Sequence, residues 1–149
     1  MRNLSIIMFA TLALGGCAQP TQVEVDNAWA RDSAGRTATA AVFMTITADA
    51  PDRLIGASTP AAGKADLMTM EMNEGAMAMS YVDSIDIPAN SPVSLDPAGL
   101  HVWLEDLSAP LKGGTSFPLT LKFEEAGEKQ VVVTVIEPAA APPEAAMEM

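Results

Sequence analysis

The sequence predicts an all-β fold of the antiparallel β-sandwich type. Short runs rich in valine, isoleucine, threonine and alanine recur along the chain. The 11 prolines and 10 glycines fall mainly between these runs, where they mark turns and keep the strands short. No stretch shows the apolar period of an amphipathic helix. Short strands separated by frequent turns are typical of two packed antiparallel sheets.

Each strand is predicted from its composition and from the turn residues that bound it. Residues 37–48 are small and β-branched, residues 117–123 alternate apolar and polar side chains, and residues 129–136 are rich in valine. A hairpin is predicted around residues 73–76, and residues 81–87 are expected to continue its second arm. The remaining predicted strands are residues 27–31, 53–58, 93–95 and 100–104. Residues 107–114 are expected to form a connector, and Gly127 the loop of the last hairpin.

The first 17 residues resemble a bacterial lipoprotein signal. Arg2 precedes an apolar run that is too short to span a bilayer, and the run ends in Leu14-Gly15-Gly16-Cys17, similar to a lipobox. The resemblance implies that residues 1–16 are a signal peptide and that Cys17 is lipidated, anchoring the protein outside the cytoplasm. An ordinary secretory signal with an incidental cysteine is the alternative. Ala18 favours the outer membrane by the common Gram-negative sorting rule.

The remaining chain divides into three parts. Residues 17–26 are expected to be a tether, residues 27–137 the β-sandwich domain, and residues 138–149 a disordered tail rich in proline, alanine and glutamate. Met147 and Met149 could act as spare sulfur donors, but the favoured interpretation is that they are tail residues with no other role.

Five of the ten methionines lie between Met68 and Met79, at every second position on either side of Asn73-Glu74-Gly75-Ala76. A period of two is a strand period, so this stretch predicts a hairpin in which Met72 pairs with Met77. All five sulfurs would then share one face of the sheet: Met68, Met70, Met72, Met77 and Met79. Such a face is either an apolar core or a site for a soft metal, because methionine also fills ordinary cores.

The only histidine, His101, lies in a second alternating run. Leu100, Val102 and Leu104 are expected to face the core, whereas His101, Trp103 and Glu105 are expected to face outward. Trp103 would then be an exposed aromatic side chain, which often marks a binding surface. The alternative is a surface histidine whose neighbouring tryptophan packs on a loop.

Composition excludes several classes of function. A formal net charge of −11 argues against nucleic-acid binding. One histidine, one cysteine and no Gly-x-Ser-x-Gly elbow, phosphate loop or dinucleotide motif argue against an enzyme. A zinc site of several cysteines is impossible. Thioethers are soft, neutral ligands that suit Cu(I) better than zinc, calcium or magnesium.

The spacing of these residues resembles the PCu(A)C family of periplasmic copper chaperones. In the family motif, a His or Met is followed after ten residues by a Met, after a further twenty-one residues by a His, and after one more residue by a second Met. Met68, Met79 and His101 match this order and the first two spacings. Segments 27–31, 52–54, 57–63, 97–101 and 110–114 also look like the family. The resemblance implies a Greek-key sandwich, cupredoxin-like or Ig-like, that binds Cu(I) through those three residues and delivers copper to cytochrome c oxidase.

This chain departs from the motif at the fourth position, where Trp103 replaces methionine. Our hypothesis is a three-coordinate site of two sulfurs and one nitrogen, which the Trp103 ring shields through a cation–π contact. Met70, Met72 or Met77 could instead supply the missing sulfur. Two other functions stay open: copper sequestration, which stoichiometry above one ion per chain would favour, and a metal-free interaction module.

Overall fold

The computed structural model describes residues 21–33 and 38–137, so the predicted signal peptide, Cys17 and the tail lie outside the described residues. The described part contains ten strands and no helix, which confirms the predicted all-β class. The strands are β1 Val23–Arg31, β2 Ala40–Ala48, β3 Asp52–Ser58, β4 Ala62–Asn73, β5 Ala76–Tyr81, β6 Ile85–Ile87, β7 Val93–Leu95, β8 His101–Leu107, β9 Ser116–Phe123 and β10 Gly127–Ile136. Within these residues, no helix is long and apolar enough to cross a membrane.

The strands form one continuous ladder in the order β5-β4-β8-β2-β1-β10-β9-β3-β6, with β7 paired to β2. All of the pairings between these strands are antiparallel except that of β1 with β10, which is parallel. The ladder folds over on itself, because β3 also packs against β4 and β6 against β2. Two layers therefore enclose one core, as in a sandwich.

The core is built from the inward residues of both layers. Alternate positions of β2, β8, β9 and β10 supply most of it, as a strand period of two requires. Its largest fully buried side chains are Met44, Ile46, Leu54, Ile87, Leu95, Leu104, Leu119, Leu121, Val42, Val102, Val133 and Val135. The outer face of β4, β8 and β2 is therefore available for other chemistry.

A β-bulge in β1 changes which residues face the core. Val25 pairs with Ile46, but the register shifts after Asp26, so that Trp29 pairs with Phe43. Asn27 absorbs the extra residue with a φ of 52°, a conformation that asparagine tolerates better than most residues. The bulge turns Trp29 away from the core face of Val25 and onto the outer face beside Phe43.

The methionine hairpin has the predicted register. Met72 pairs with Met77 and Met70 with Met79 across β4 and β5. The two residues of the loop, Glu74 and Gly75, have φ values of 50° and 83°, which is the backbone of a tight hairpin turn that matches strand twist. All five methionines therefore lie on the same face of the sheet.

Several boundaries differ from the sequence predictions. Gly127, predicted as the loop of the last hairpin, is the first residue of β10 and pairs with Phe123. Three other boundaries change the strand pairing. β1 begins at Val23, so four residues of the predicted tether are paired with β2. β5 ends at Tyr81, and residues 85–87 form a separate strand that pairs with β3 in the other layer. β8 continues to Leu107, the first residue of the predicted connector, because Glu105 and Leu107 pair with the start of β4. In each case a distant strand supplied the hydrogen bonds that local composition did not reveal.

Candidate metal centre

The pairing of β4 with β8 brings two of the predicted ligands together. Met68 lies directly opposite His101 in the antiparallel register. Met79 lies on the next strand, two residues before Tyr81, which is the direct partner of Met68. Diagonal neighbours of this kind are about 7–8 Å apart at the backbone, within reach of long side chains. Met68, Met79 and His101 therefore share one face on three adjacent strands.

His101 is buried, although it points away from the core. Its exposed fraction is 3%, and that of Met68 is 4%, while Met79 is 42% exposed. The predicted outward direction holds, because neighbouring Val102 and Leu104 belong to the core cluster and His101 does not. An exposed His101 is not what the structure has, since the rings of Phe43 and Trp103 lie beside it, each 6.1 Å away between centroids. The candidate centre is thus a buried Met–His pair beside one accessible thioether.

The hydrogen bonds of His101 define which ring nitrogen can bind a metal. Nδ1 lies 3.0 Å from the carbonyl oxygen of Gly99. A carbonyl can only accept, so Nδ1 of the neutral ring carries the hydrogen and donates it. Nε2 then holds the free lone pair, and it is buried with no hydrogen-bond partner among the residues that the structure describes. A ring held by Nδ1 with Nε2 free is the usual arrangement of a metal-binding histidine.

Gly99 also ties the loop before β8 to the hairpin. Its carbonyl accepts a second hydrogen bond, of 3.1 Å, from the backbone N–H of Met70. Asp96 supports the same loop, since its carboxylate accepts from the backbone of Ala98 at 2.9 Å. The orientation of the His101 ring is consequently fixed to the strand that carries Met68 and Met70. The sequence did not predict this role for Gly99, because a backbone carbonyl leaves no residue-specific signal.

Trp103 is half-buried rather than exposed, which corrects the prediction for that side chain. Its ring lies edge-on to His101 at 6.1 Å between ring centroids. The indole N–H donates to Glu105 Oε1 at 3.2 Å, and the Tyr81 hydroxyl donates to the same oxygen at 3.4 Å. A satisfied indole N–H explains why part of the ring can be buried.

Lys64 completes this polar group of side chains. Its ammonium lies 2.9 Å from Asp66 and 3.5 Å from Glu105, and 5.5 Å from the centre of the Tyr81 ring. The hydrogen bond to Asp66 raises the pKa of Lys64 above its usual 10.5; desolvation opposes the rise, and the nearby acidic groups reinforce it. Lys64 is therefore positively charged at neutral pH, and it holds the carboxylate that anchors Trp103.

Two further aromatic rings extend the site, and the sequence analysis missed both. Phe43 lies 6.1 Å from His101, and Trp29 lies 4.6 Å from Phe43, as measured between ring centroids. The guanidinium carbon of Arg31 lies 5.3 Å from the centre of the Trp29 ring. The outward direction of Phe43 could have been predicted, because it alternates with the core residues of β2. That of Trp29 could not, because the bulge at Asn27 inverts the alternation of β1.

The donor set is neutral and soft. Two thioethers and one imidazole nitrogen are ligands that Cu(I) accepts and that calcium and magnesium do not favour. In the described ranges, 21–33 and 38–137, no group of three or more histidine, cysteine, aspartate or glutamate side chains is arranged to hold a metal. The buried lone pair of His101 is the polar atom that a soft ion would satisfy.

Comparison with known proteins links this geometry to a family. The family model described as "Putative lipoprotein LpqE-like" matches residues 23–135. "Putative lipoprotein Lxx21020" from Leifsonia xyli subsp. xyli (strain CTCB07) is 33% identical over 138 residues, which are 83% of this chain and 82% of the relative.

Similar solved structures carry the same fold. A copper-bound PCuAC domain from PmoF2 is 29% identical, with a TM-score of 0.64 over 78% of this chain and 93% of that domain. The solution structure of CuI-DR1885 from Deinococcus radiodurans is 31% identical, with a TM-score of 0.60 over 85% of each chain.

Removing the acceptor of the Trp103 indole tests the polar group around it. Glu105→Ala is expected to lower the free energy of unfolding by about 1–2 kcal/mol, because the half-buried N–H loses its partner. It should also speed hydrogen exchange of the Trp103 indole in NMR spectra. Glu128→Ala is the matched control, since its carboxylate lies 3.9 Å from Lys122 on an open surface and should cost under about 0.5 kcal/mol. Equal losses in the two variants would contradict the anchoring role.

Proposed function

This chain belongs to the LpqE-like family and is a PCuAC-type β domain, and we propose that it is an extracytoplasmic Cu(I) chaperone with Met68, Met79 and His101 as its ligands. The observation that carries the proposal is the buried, unpartnered Nε2 of His101 on the strand opposite Met68. An unpaired buried nitrogen costs stability, and a metal ion that binds it recovers that loss.

The ligand types favour the reduced ion. Cu(II) prefers several imidazoles or oxygens, and this chain has one histidine. Two thioethers and one imidazole nitrogen are neutral, so they do not compensate the positive charge of the bound ion. Aromatic faces around the site can stabilise that charge. Trp103, beside His101, can shield a monovalent cation and keep water away from it. We therefore propose a three-coordinate site, with Trp103 as a cap rather than as a ligand.

The asymmetry of the ligands favours delivery to a partner over permanent storage. Met68 and His101 are buried, whereas Met79 lies on the edge strand β5 and is accessible. An acceptor can replace an exposed thioether first and then withdraw the ion by stepwise ligand exchange. The acceptor proposed from the family resemblance is cytochrome c oxidase during assembly. Failure of the loaded chain to pass Cu(I) to the copper-binding domain of that enzyme would leave the recipient unidentified.

The location follows from the proposed lipid anchor. Cys17 ends a lipobox-like segment, and both the family and the relative from Leifsonia xyli are described as lipoproteins. Only a few residues separate Cys17 from the start of β1 at Val23. We propose that lipidation of Cys17 holds the domain close to the periplasmic surface of a membrane.

Substitution of the proposed ligands should weaken Cu(I) binding. Met68→Leu, Met79→Leu and His101→Asn are each expected to raise the dissociation constant by at least about tenfold, or ~1.4 kcal/mol. Leucine preserves the volume of methionine, and asparagine can still donate to Gly99. Anaerobic titration against a chromophoric Cu(I) chelator measures the affinity.

The control for these variants is Met44→Leu, which removes a thioether from the core on the opposite side of the sheet. It should leave the affinity within about twofold, since leucine conserves the packing. An unchanged dissociation constant in the double variant Met79→Leu/His101→Asn would overturn the assigned site.

Trp103→Met should tighten Cu(I) binding, because it restores the fourth donor of the family motif on the strand that carries His101. We expect about a tenfold lower dissociation constant and a rise from two to three sulfur ligands in X-ray absorption spectra. Trp103→Leu removes the ring without adding a donor, and it should speed the oxidation of the bound ion in air. Weaker binding in Trp103→Met than in the wild type would show that the indole contributes more than a thioether.

Lipidation can be measured directly. The wild-type chain, expressed in a bacterium fed with labelled palmitate, is expected to incorporate the label and to begin at Cys17. Cys17→Ala should lose the label entirely, while Gly16→Ala, which keeps a small residue before the cysteine, should retain it. Separation of inner from outer membrane vesicles then tests the preference suggested by Ala18. An unlabelled wild-type protein would refute the anchor without affecting the copper site.

A further inference from the structure

The hairpin carries three methionines that the proposed ligand set does not use. Met72 pairs directly with Met77, and Met70 pairs with Met79, so four thioethers form two adjacent cross-strand pairs. Met72 is 70% exposed and Met77 49% exposed, while Met70 is half-buried. Large apolar side chains grouped on an exposed strand tip are unusual in a soluble domain and mark a binding surface.

The register divides the donors of this face into two groups of three. Met68, Met79 and His101 are the proposed inner ligands, and Met70, Met72 and Met77 form an outer group that includes the pair nearest the hairpin turn; the two groups meet at the directly opposed pair Met70 and Met79. Directly opposed side chains have Cβ atoms about 4.5–5.5 Å apart. Met72 and Met77 meet in this way, and Met70 stands next to Met72 on the same face and diagonal to Met77. Flexible thioethers at these positions can converge on one ion.

We propose that Met70, Met72 and Met77 form a second Cu(I) site, and that it loads the buried site. The proposal rests on the proposed copper function of Met68, Met79 and His101. Three neutral thioethers without an imidazole bind Cu(I) more weakly than the inner set, and the exposed sulfurs exchange ligands readily. An ion can therefore arrive at the hairpin tip from a donor or a small copper complex.

Transfer between the two sites needs only ligand exchange. Met70 of the outer group is the direct cross-strand partner of Met79 of the inner group. The ion can form a bond to Met79 as it loses one to Met72 or Met77, and then reach Met68 and His101. Copper remains Cu(I) throughout, so neither an oxidant nor a proton acceptor is required. Met79 is the exposed member of the inner group, so the ion would reach Met68 and His101 through it.

Methionine methyl NMR distinguishes the two sites in the full mature protein in detergent. With ¹³C-labelled methyl groups assigned by single Met→Leu variants, the first equivalent of Cu(I) should shift Met68 and Met79, and the second Met70, Met72 and Met77. Met72→Leu/Met77→Leu should reduce the bound copper from two ions to one. It should also slow the loading of the inner site from a Cu(I) chelate by at least about tenfold, while changing the inner affinity by less than about twofold.

The matched control is Met147→Leu/Met149→Leu, which removes two tail thioethers and should leave both the stoichiometry and the loading rate unchanged. If only Met68 and Met79 ever shift, the outer site is refuted and the chaperone function stands. If only Met70, Met72 and Met77 shift, the outer site stands and the assigned inner ligands are wrong. An unchanged loading rate in the hairpin variant refutes the loading role even where two ions bind.

Discussion

The register of β4 on β8 is the constraint from which the candidate site follows. It places Leu67 opposite Val102 and Met68 opposite His101, on opposite faces of the same two strands. Leu67 and Val102 are both buried in the core, so hydrophobic packing fixes this register. A slip of one residue would place Met68 in the core and Leu67 on the outer face. The apolar core thus determines, through strand alternation, which donors meet on the other side.

The outer face adds a second level of organisation. Trp29, Phe43, His101 and Trp103 form a row of rings across β1, β2 and β8, and the bulge at Asn27 is what brings Trp29 into it. These rings exclude water from His101, whereas the Gly99 carbonyl satisfies only one of its two nitrogens. Burial of the other nitrogen without a partner costs roughly 1–3 kcal/mol. In the proposed site, a bound Cu(I) ion would satisfy this lone pair and recover the cost.

The hairpin and the alternation of β8 could be predicted from sequence because both depend on local patterns. The period-two methionines and the Glu74-Gly75 turn fix a pairing that needs no distant strand. The spacing from Met68 and Met79 to His101 identified the family, but it could not show that Met68 and His101 would be buried. Their burial depends on Phe43 and on the loop at Gly99, which are remote in sequence. The pairing of β6 with β3 and the start of β1 at Val23 were not predicted either, because both depend on strands that are distant in sequence.

Trp103 is best understood through the balance between holding and releasing an ion. A fourth sulfur at this position would complete a tetrahedral shell, and an acceptor would then have to displace a ligand before it could bind. Three donors leave one direction of approach, and an indole ring can cover that direction without forming a bond that must be broken. Glu105 holds the ring by accepting a hydrogen bond from the indole N–H, and the Tyr81 hydroxyl donates to the same carboxylate oxygen. In the proposed site, such a cap would shift at the cost of roughly one hydrogen bond, or about 1 kcal/mol, and tryptophan in place of methionine would then favour transfer of the ion over its retention.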